Sequence, residues 1–250
     1  MRDSLSRILV LTKRNVKEIL RDPLSLIFMI GLPLALEVLF YFIFHDLTSQ
    51  FEMKYLAPSI VVFSQSFLTL FTGLLIALDR SSAFLTRLYV SKAKSIEFIV
   101  GYALSLIPIA FVQSVLFFLV GGAIEPSLFS VNAILCILLS IVTSLPFIGL
   151  GILFGSVCNE RSVGGVASIV IMGQSVLSGM WFPPEGLSGA VLTMMKVLPF
   201  KNAADLLKNV LQGITDLYAD FLLPFIVVCA YAAAAFIAAV LLFRKKMKSK

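Results

Sequence analysis

The chain has 250 residues, 59% of them hydrophobic and 14% charged, with a formal net charge of +6 and a mean hydropathy of +1.01. A soluble domain carries about 25% charged residues; here the shortfall is concentrated in long runs almost free of charge. About 20 apolar residues span a hydrocarbon core, so these runs exclude a soluble globular domain and predict an all-α, polytopic membrane protein, residues 1–250 forming one membrane domain.

Residues 2–21 come first. At 100° per residue, Leu5, Ile8, Leu9, Thr12, Val16, Ile19 and Leu20 fall within an arc of about 120°, and Lys13, Arg14, Lys17 and Arg21 lie opposite. This predicts an amphipathic helix in the membrane interface, its basic face towards anionic headgroups. Its longest apolar stretch, "ILVL", is too short for a signal peptide, so no cleaved signal is expected. "DP" at 22–23 breaks the helix before the first span.

Six runs qualify as membrane helices: about 24–44, 57–78, 98–121, 132–157, 163–182 and 221–243. Pro33, Pro108 and Pro146 are tolerable inside spans, where neighbouring helices and water re-satisfy the freed carbonyls. Six spans place both termini on one side, and that side holds 16 of the 20 Lys and Arg residues. The bias predicts cytoplasmic termini. The net charge then reflects orientation, and no nucleic-acid partner is expected.

Residues 79–97, between the second and third spans, exceed the 2–8 residues a helix connection needs. Phe84, Leu85 and Leu88 recur at helical spacing, with Arg80, Arg87, Lys92 and Lys94 around them. Two readings stand: a short helix that a cytoplasmic partner grips, or a second amphipathic loop lying on the surface. After the fifth span, "WFPPEG" (181–186) leads into the short apolar stretch 187–200, too short to cross and better read as interfacial or re-entrant. Then Ala203, Leu206, Leu207, Val210 and Leu211 share one helical face opposite Asp205, Lys208, Asn209 and Gln212. Two short helices on or in the outer leaflet are expected before the sixth span.

Inside the spans Glu37 is the one clear charge, either lining a polar path or pairing outward. Gln65, Gln113 and Gln174, flanked by serines, either join helices by hydrogen bonds or face a translocated substrate. Gly151 and Gly155 have small-xxx-small spacing, and Gly164 and Gly165 open a run rich in small residues; both suit close helix packing, within one chain or between two. There is no G-x-x-x-x-G-K-[ST] loop, no H-E-x-x-H and no nucleophile elbow. Cys136, Cys158 and Cys229 form no disulfide framework, and His45 stands alone, so no metal site of the chain's own is expected. An enzyme acting alone is not expected. A secondary transporter using Glu37 and a membrane scaffold or assembly factor remain as alternatives to an ATP-driven permease.

The order of parts resembles the permease subunit of type-2 ABC transporters along essentially the whole chain. A basic helix ends in "RDP"; a basic loop closes with "EFIVG"; "GILFGSVCNERS" joins the fourth and fifth spans; "LSGMWFPPEGL" and "LPFKNAADLLKNVLQG" precede the sixth. Thr86, Leu88 and Ser91 keep a common loop pattern, with Lys92 where many relatives carry proline.

The resemblance implies an exporter half that pairs with a second copy or a sister permease and with two separate ATPase subunits, which hold the ATP and Mg; this chain binds no cofactor itself. It implies that 79–97 docks on the ATPase through Arg80, Phe84, Leu85, Arg87, Leu88 and Lys92. Asn159, Glu160 and Arg161 and the N-terminal helix assist in that contact. It further implies a plasma (inner) membrane location, re-entrant helices within 183–219, and a dimer seam of the first, second and fifth spans. The scarcity of intramembrane charge suits a hydrophobic or amphipathic substrate such as a drug, lipid or glycolipid.

Overall fold

The computed structural model describes residues 2–82, 94–181, 187 and 189–248. Among these it is all-helical. Helix α1 (Arg2–Leu20) is followed by α2, running Pro23–Phe44 with a π-helical turn at Ile27–Gly31. Then come α3 (Met53–Ser81), α4 (Ser95–Ile124), α5 (Val131–Val157), α6 (Glu160–Leu177), α7 (Gly189–Val197), α8 (Pro199–Gln212) and α9 (Leu223–Lys248), the last preceded by a π-helical turn at Leu217–Leu222.

Five of these helices are long and apolar enough to cross a membrane: Pro23–Phe44, Met53–Ser81, Ser95–Ile124, Val131–Val157 and Leu217–Arg244. They contain five of the six predicted runs. The remaining run falls on α6, which is not among the five: Glu160 and Arg161 open it, and Gly, Ser and Gln174 dilute its apolar content. The two short helices expected before the last span are present as α7 and α8, and the predicted apolar face of α8 (Ala203, Leu206, Leu207, Val210, Leu211) is buried.

Helix α3 is the central helix, its middle buried almost throughout, and its broadest contact is with α5. Small residues permit that approach. A Cβ on Gly155 would lie 2.7 Å from the Gly73 carbonyl oxygen, and one on Gly151 would lie 2.8 Å from the Thr69 carbonyl oxygen. Buried polar groups stitch the same seam: Gln65 Nε2 donates to Ser140 O at 2.9 Å, Thr143 Oγ1 to Gln65 Oε1 at 2.9 Å, and Thr69 Oγ1 to Phe147 O at 2.9 Å. In an apolar surrounding, leaving such groups unpaired costs more than pairing them gains, so the pairs fix register. By contrast, Gly164 and Gly165 on α6 have nothing among the described residues within 4 Å of a would-be Cβ.

The π-helical turn in α2 has a local cause. Pro33 offers no N–H to the turn below it, the ladder slips to π spacing with Leu32 N–H donating to Ile27 O, and Gln113 of α4 donates to Met29 O at 2.9 Å. At the end of the bundle away from α1, Phe40, Phe44, Phe51 and Phe63 gather around Trp181, whose Nε1 donates to Ser175 Oγ at 2.6 Å.

Candidate functional site

Among the described residues, helix α1 makes ion pairs at both ends of the segment 79–97. The segment's two ends belong to different helices: Asp79 and Arg80 close α3, and Glu97 sits in the first turn of α4. The stretch between, residues 83–93, lies outside the described residues, and with it Phe84, Leu85, Arg87, Leu88 and Lys92.

Helix α1 clamps both ends. Arg7 and Arg14 are two turns apart and share one stripe of the helix. Arg7 grips Glu97 with both arms of its fork, Nε to Oε2 at 2.8 Å and Nη2 to Oε1 at 2.9 Å, and Ser4 Oγ donates to Oε1 at 2.6 Å. Arg14 grips Asp79 through Nη1 and Nη2, the latter 2.6 Å from Oδ1, while Tyr102 Oη donates to Oδ2 at 2.6 Å. The carboxylates are nearly inaccessible, with side chains 3% and 4% exposed for Asp79 and Glu97. A charge so placed must be paired and hydrogen-bonded, and bidentate arginine is the geometry that does both.

The backbone of α1 also comes close. A Cβ on Gly101 would lie 2.7 Å from Leu11 Cδ2, and Thr12 Oγ1 donates to Gly101 O at 3.2 Å. Burial works against the charge of Arg14, but Asp79 outweighs it and holds the guanidinium pKa above its ordinary value. Burial likewise pushes the neighbouring Glu18 carboxyl up, against the pull of Arg14.

The expected basic face of α1 is therefore divided. Lys13, Lys17 and Arg21 are exposed, whereas Arg14 is turned into the protein. The apolar arc is divided too: Leu5, Leu9 and Leu20 stay exposed, while Ile19 is buried against the bundle, with Leu11 and Asn15 from outside the arc.

A second contact joins the same junction to the α5–α6 turn. Arg80 Nη1 donates to Gly155 O at 2.8 Å and Cys158 O at 3.0 Å, satisfying carbonyls at the end of α5 that have no helical partner. Asn159 caps α6, its Oδ1 accepting from Ser162 N at 2.9 Å and Ser162 Oγ at 2.7 Å. Ala77, Arg80, Ser81, Cys158, Asn159, Glu160 and Arg161 line a recess of about 360 Å³. Thus Arg80 and the 159–161 turn line one recess, Arg80 bonding to carbonyls 75 and 78 residues further along the chain.

The family model described as ABC-2 type transporter matches residues 6–211. The chain belongs to the ABC-2 type transporter family. No curated protein matches it. It is a multi-pass membrane protein and the permease component of an ABC transporter, and permeases of the ABC-2 type work with an ATPase subunit.

The other residues singled out from sequence are scattered through this ABC-2 permease. Gln65 is consumed in the α3–α5 seam. Gln174 is buried, and neither atom of its amide has a partner among the described residues. Glu37 is buried in α2, both carboxyl oxygens without a hydrogen-bond partner among the described residues. It lies against Gly121, where a Cβ would stand 3.2 Å from Oε1. Sequence reading missed Ser4, Arg7, Asp79, Glu97 and Tyr102 as a group. The available signal was that Asp79 and Glu97 are the only acids of a basic segment and stand at its two ends.

Proposed function

We propose that the chain is the membrane-spanning subunit of an ATP-driven exporter, and that α1 and residues 79–97 form its coupling platform. The observation that carries this is the double clamp, in which two arginines of one helix hold both ends of the segment. A segment tied at both ends moves with the helices it joins, so a push from a docked ATPase reaches α3 and α4 together. The recess beside Arg80 and Asn159–Arg161 supports a second foothold, bringing α5 and α6 into the same response. The ATPase carries the ATP and Mg; this chain supplies no nucleotide chemistry.

In this reading α6 is the fifth of six spans. At 1.5 Å per residue its 18 residues measure about 27 Å, and its exposed Ile169, Met172 and Val176 suit lipid or a neighbouring helix. The open face at Gly164 and Gly165 suits a second permease, a copy of this chain or a sister. Two ATPase copies then serve the pair. Both termini are cytoplasmic, α1 lies in the inner interface of the plasma membrane, and α7 and α8 re-enter from the outer side. The substrate is hydrophobic or amphipathic, because most buried polar side chains of the bundle are already hydrogen-bonded, mainly to backbone carbonyls.

A second reading rests on Glu37. A carboxyl with no partner in an apolar site is a candidate for proton coupling in a secondary transporter. Unchanged transport by Glu37→Gln removes that reading.

The test of the first reading is co-purification. The tagged chain, isolated from its own membrane in mild detergent, brings with it a nucleotide-binding ATPase identified by mass spectrometry. The double variant Leu85→Asp/Leu88→Asp loses it. No ATPase with the unaltered chain overturns the proposal.

A further inference from the structure

At the end of the bundle away from the clamp, a polar cavity of about 540 Å³ opens between the start of α3, the end of α6, α8 and the approach to α9. Tyr55 on its wall lies in the first turn of α3 and Asp79 in the last; at 1.5 Å per residue they are about 36 Å apart. The cavity is therefore separate from the platform described above.

The charges on its wall are Lys201, Asp205, Lys208 and Asp220. Three of them are occupied. Lys201 is ion-paired with Asp205 one turn along α8. Asp220 Oδ2 accepts from Thr215 N at 3.1 Å, Thr215 Oγ1 at 2.7 Å and Asp216 N at 2.9 Å. Lys208 alone has neither a hydrogen bond nor an ion pair among the described residues. It is half-buried on the polar edge of a helix whose other face is core.

Burial holds the Lys208 amine below the ordinary lysine pKa; Asp205 opposes the shift and Lys201 adds to it. Asp205, the acid that opposes the shift, is itself taken by Lys201, and a half-buried ammonium with neither an ion pair nor a hydrogen bond of its own is an unfavourable arrangement that an anion relieves. Two uncharged groups on the wall can also donate. The Tyr55 and Ser49 hydroxyls line the cavity with no partner among the described residues. The amides of Gln50 and Asn209 are already committed, to Gly179 O at 3.3 Å and Asp220 O at 3.0 Å.

We propose that this cavity is a binding site for a phosphate group, with Lys208 as its cation and the Tyr55 and Ser49 hydroxyls as further donors. Lys208 on α8 and the hydroxyls of Ser49 and Tyr55 around the start of α3 line one cavity from different elements, and several donors suit a group with several acceptor oxygens. The same chemistry is offered by a phospholipid headgroup and by a water-soluble phosphate ester.

The test uses the purified full chain without any ATPase, so its outcome is independent of the exporter reading. Binding of dioleoylphosphatidylglycerol is counted by native mass spectrometry, with glycerol phosphate as soluble competitor. The expected result is a loss of affinity of about tenfold in Lys208→Gln, retention in Lys208→Arg, and no change in Lys54→Gln, an exposed lysine outside the cavity. Displacement by glycerol phosphate marks a soluble ester as the occupant; resistance to it marks the lipid headgroup. Without ligand, the melting temperature of Lys208→Gln is no lower than that of the unaltered chain, since it removes an unpaired charge. Equal binding by Lys208→Gln and the unaltered chain, equal losses in Lys208→Gln and Lys54→Gln, or binding of neither probe overturns the proposal.

Discussion

Asp79 has three donors on two oxygens and almost no access to water, so its energetics are those of a buried, satisfied ion. Asp79→Asn keeps the shape and removes the charge, leaving the Arg14 fork against a neutral amide. Because Arg14 is a third exposed, water softens the loss, and a destabilisation of about 2–4 kcal/mol is expected. Asp46→Asn, at a side chain 87% exposed, changes nothing measurable. Thermal unfolding of the two variants in the same detergent checks the contrast. The glycines give a second pair. Gly155→Ala drives a methyl into the Gly73 backbone and costs about 1–3 kcal/mol. Gly164→Ala meets open space in the isolated chain and gains up to about 1 kcal/mol from helix propensity. If a second copy covers that face, the same alanine weakens the pairing, read by size-exclusion chromatography.

At the scale of the element, α2 shows how a proline is absorbed in a membrane helix. The turn that Pro33 weakens is held by Gln113 from α4, so Gln113→Leu is expected to cost about 1–2 kcal/mol. Pro33→Ala, which returns an N–H to that turn, recovers most of the loss; a cycle of the four proteins by thermal unfolding decides it. The long helices were legible because apolar runs and their turn signals are local. The apolar face of α8 was legible for the same reason. The clamp was not: Arg14 and Asp79 are 65 residues apart and Arg7 and Glu97 are 90. Nothing in the wheel of α1 distinguishes an arginine that faces lipid headgroups from one that faces a buried carboxylate. The apolar arc misled for a related reason. Leu11 and Asn15 fall outside it, yet are buried, because α1 has a protein-facing side as well as an apolar and an aqueous one. The weak apolar signal of α6 follows from its small and polar residues, which suit contact with other helices.

For the whole molecule, the clamp, the Arg80 contacts and the α3–α5 seam form one continuous path. It runs from the N-terminal helix through the ends of α3, α4 and α5 to the middle of the bundle. Such a path transmits force only if its ends stay attached while the bundle changes state. The most direct test is the rate of ATP hydrolysis by the reconstituted permease–ATPase complex carrying Arg14→Gln. That variant leaves residues 79–97 themselves intact and releases one end of the clamp. The account predicts that the ATPase still co-purifies while permease-stimulated hydrolysis and transport fall by about tenfold or more, the equivalent of 1.4 kcal/mol of lost coupling. Full stimulation with Arg14→Gln would contradict it and leave the N-terminal helix a membrane anchor only.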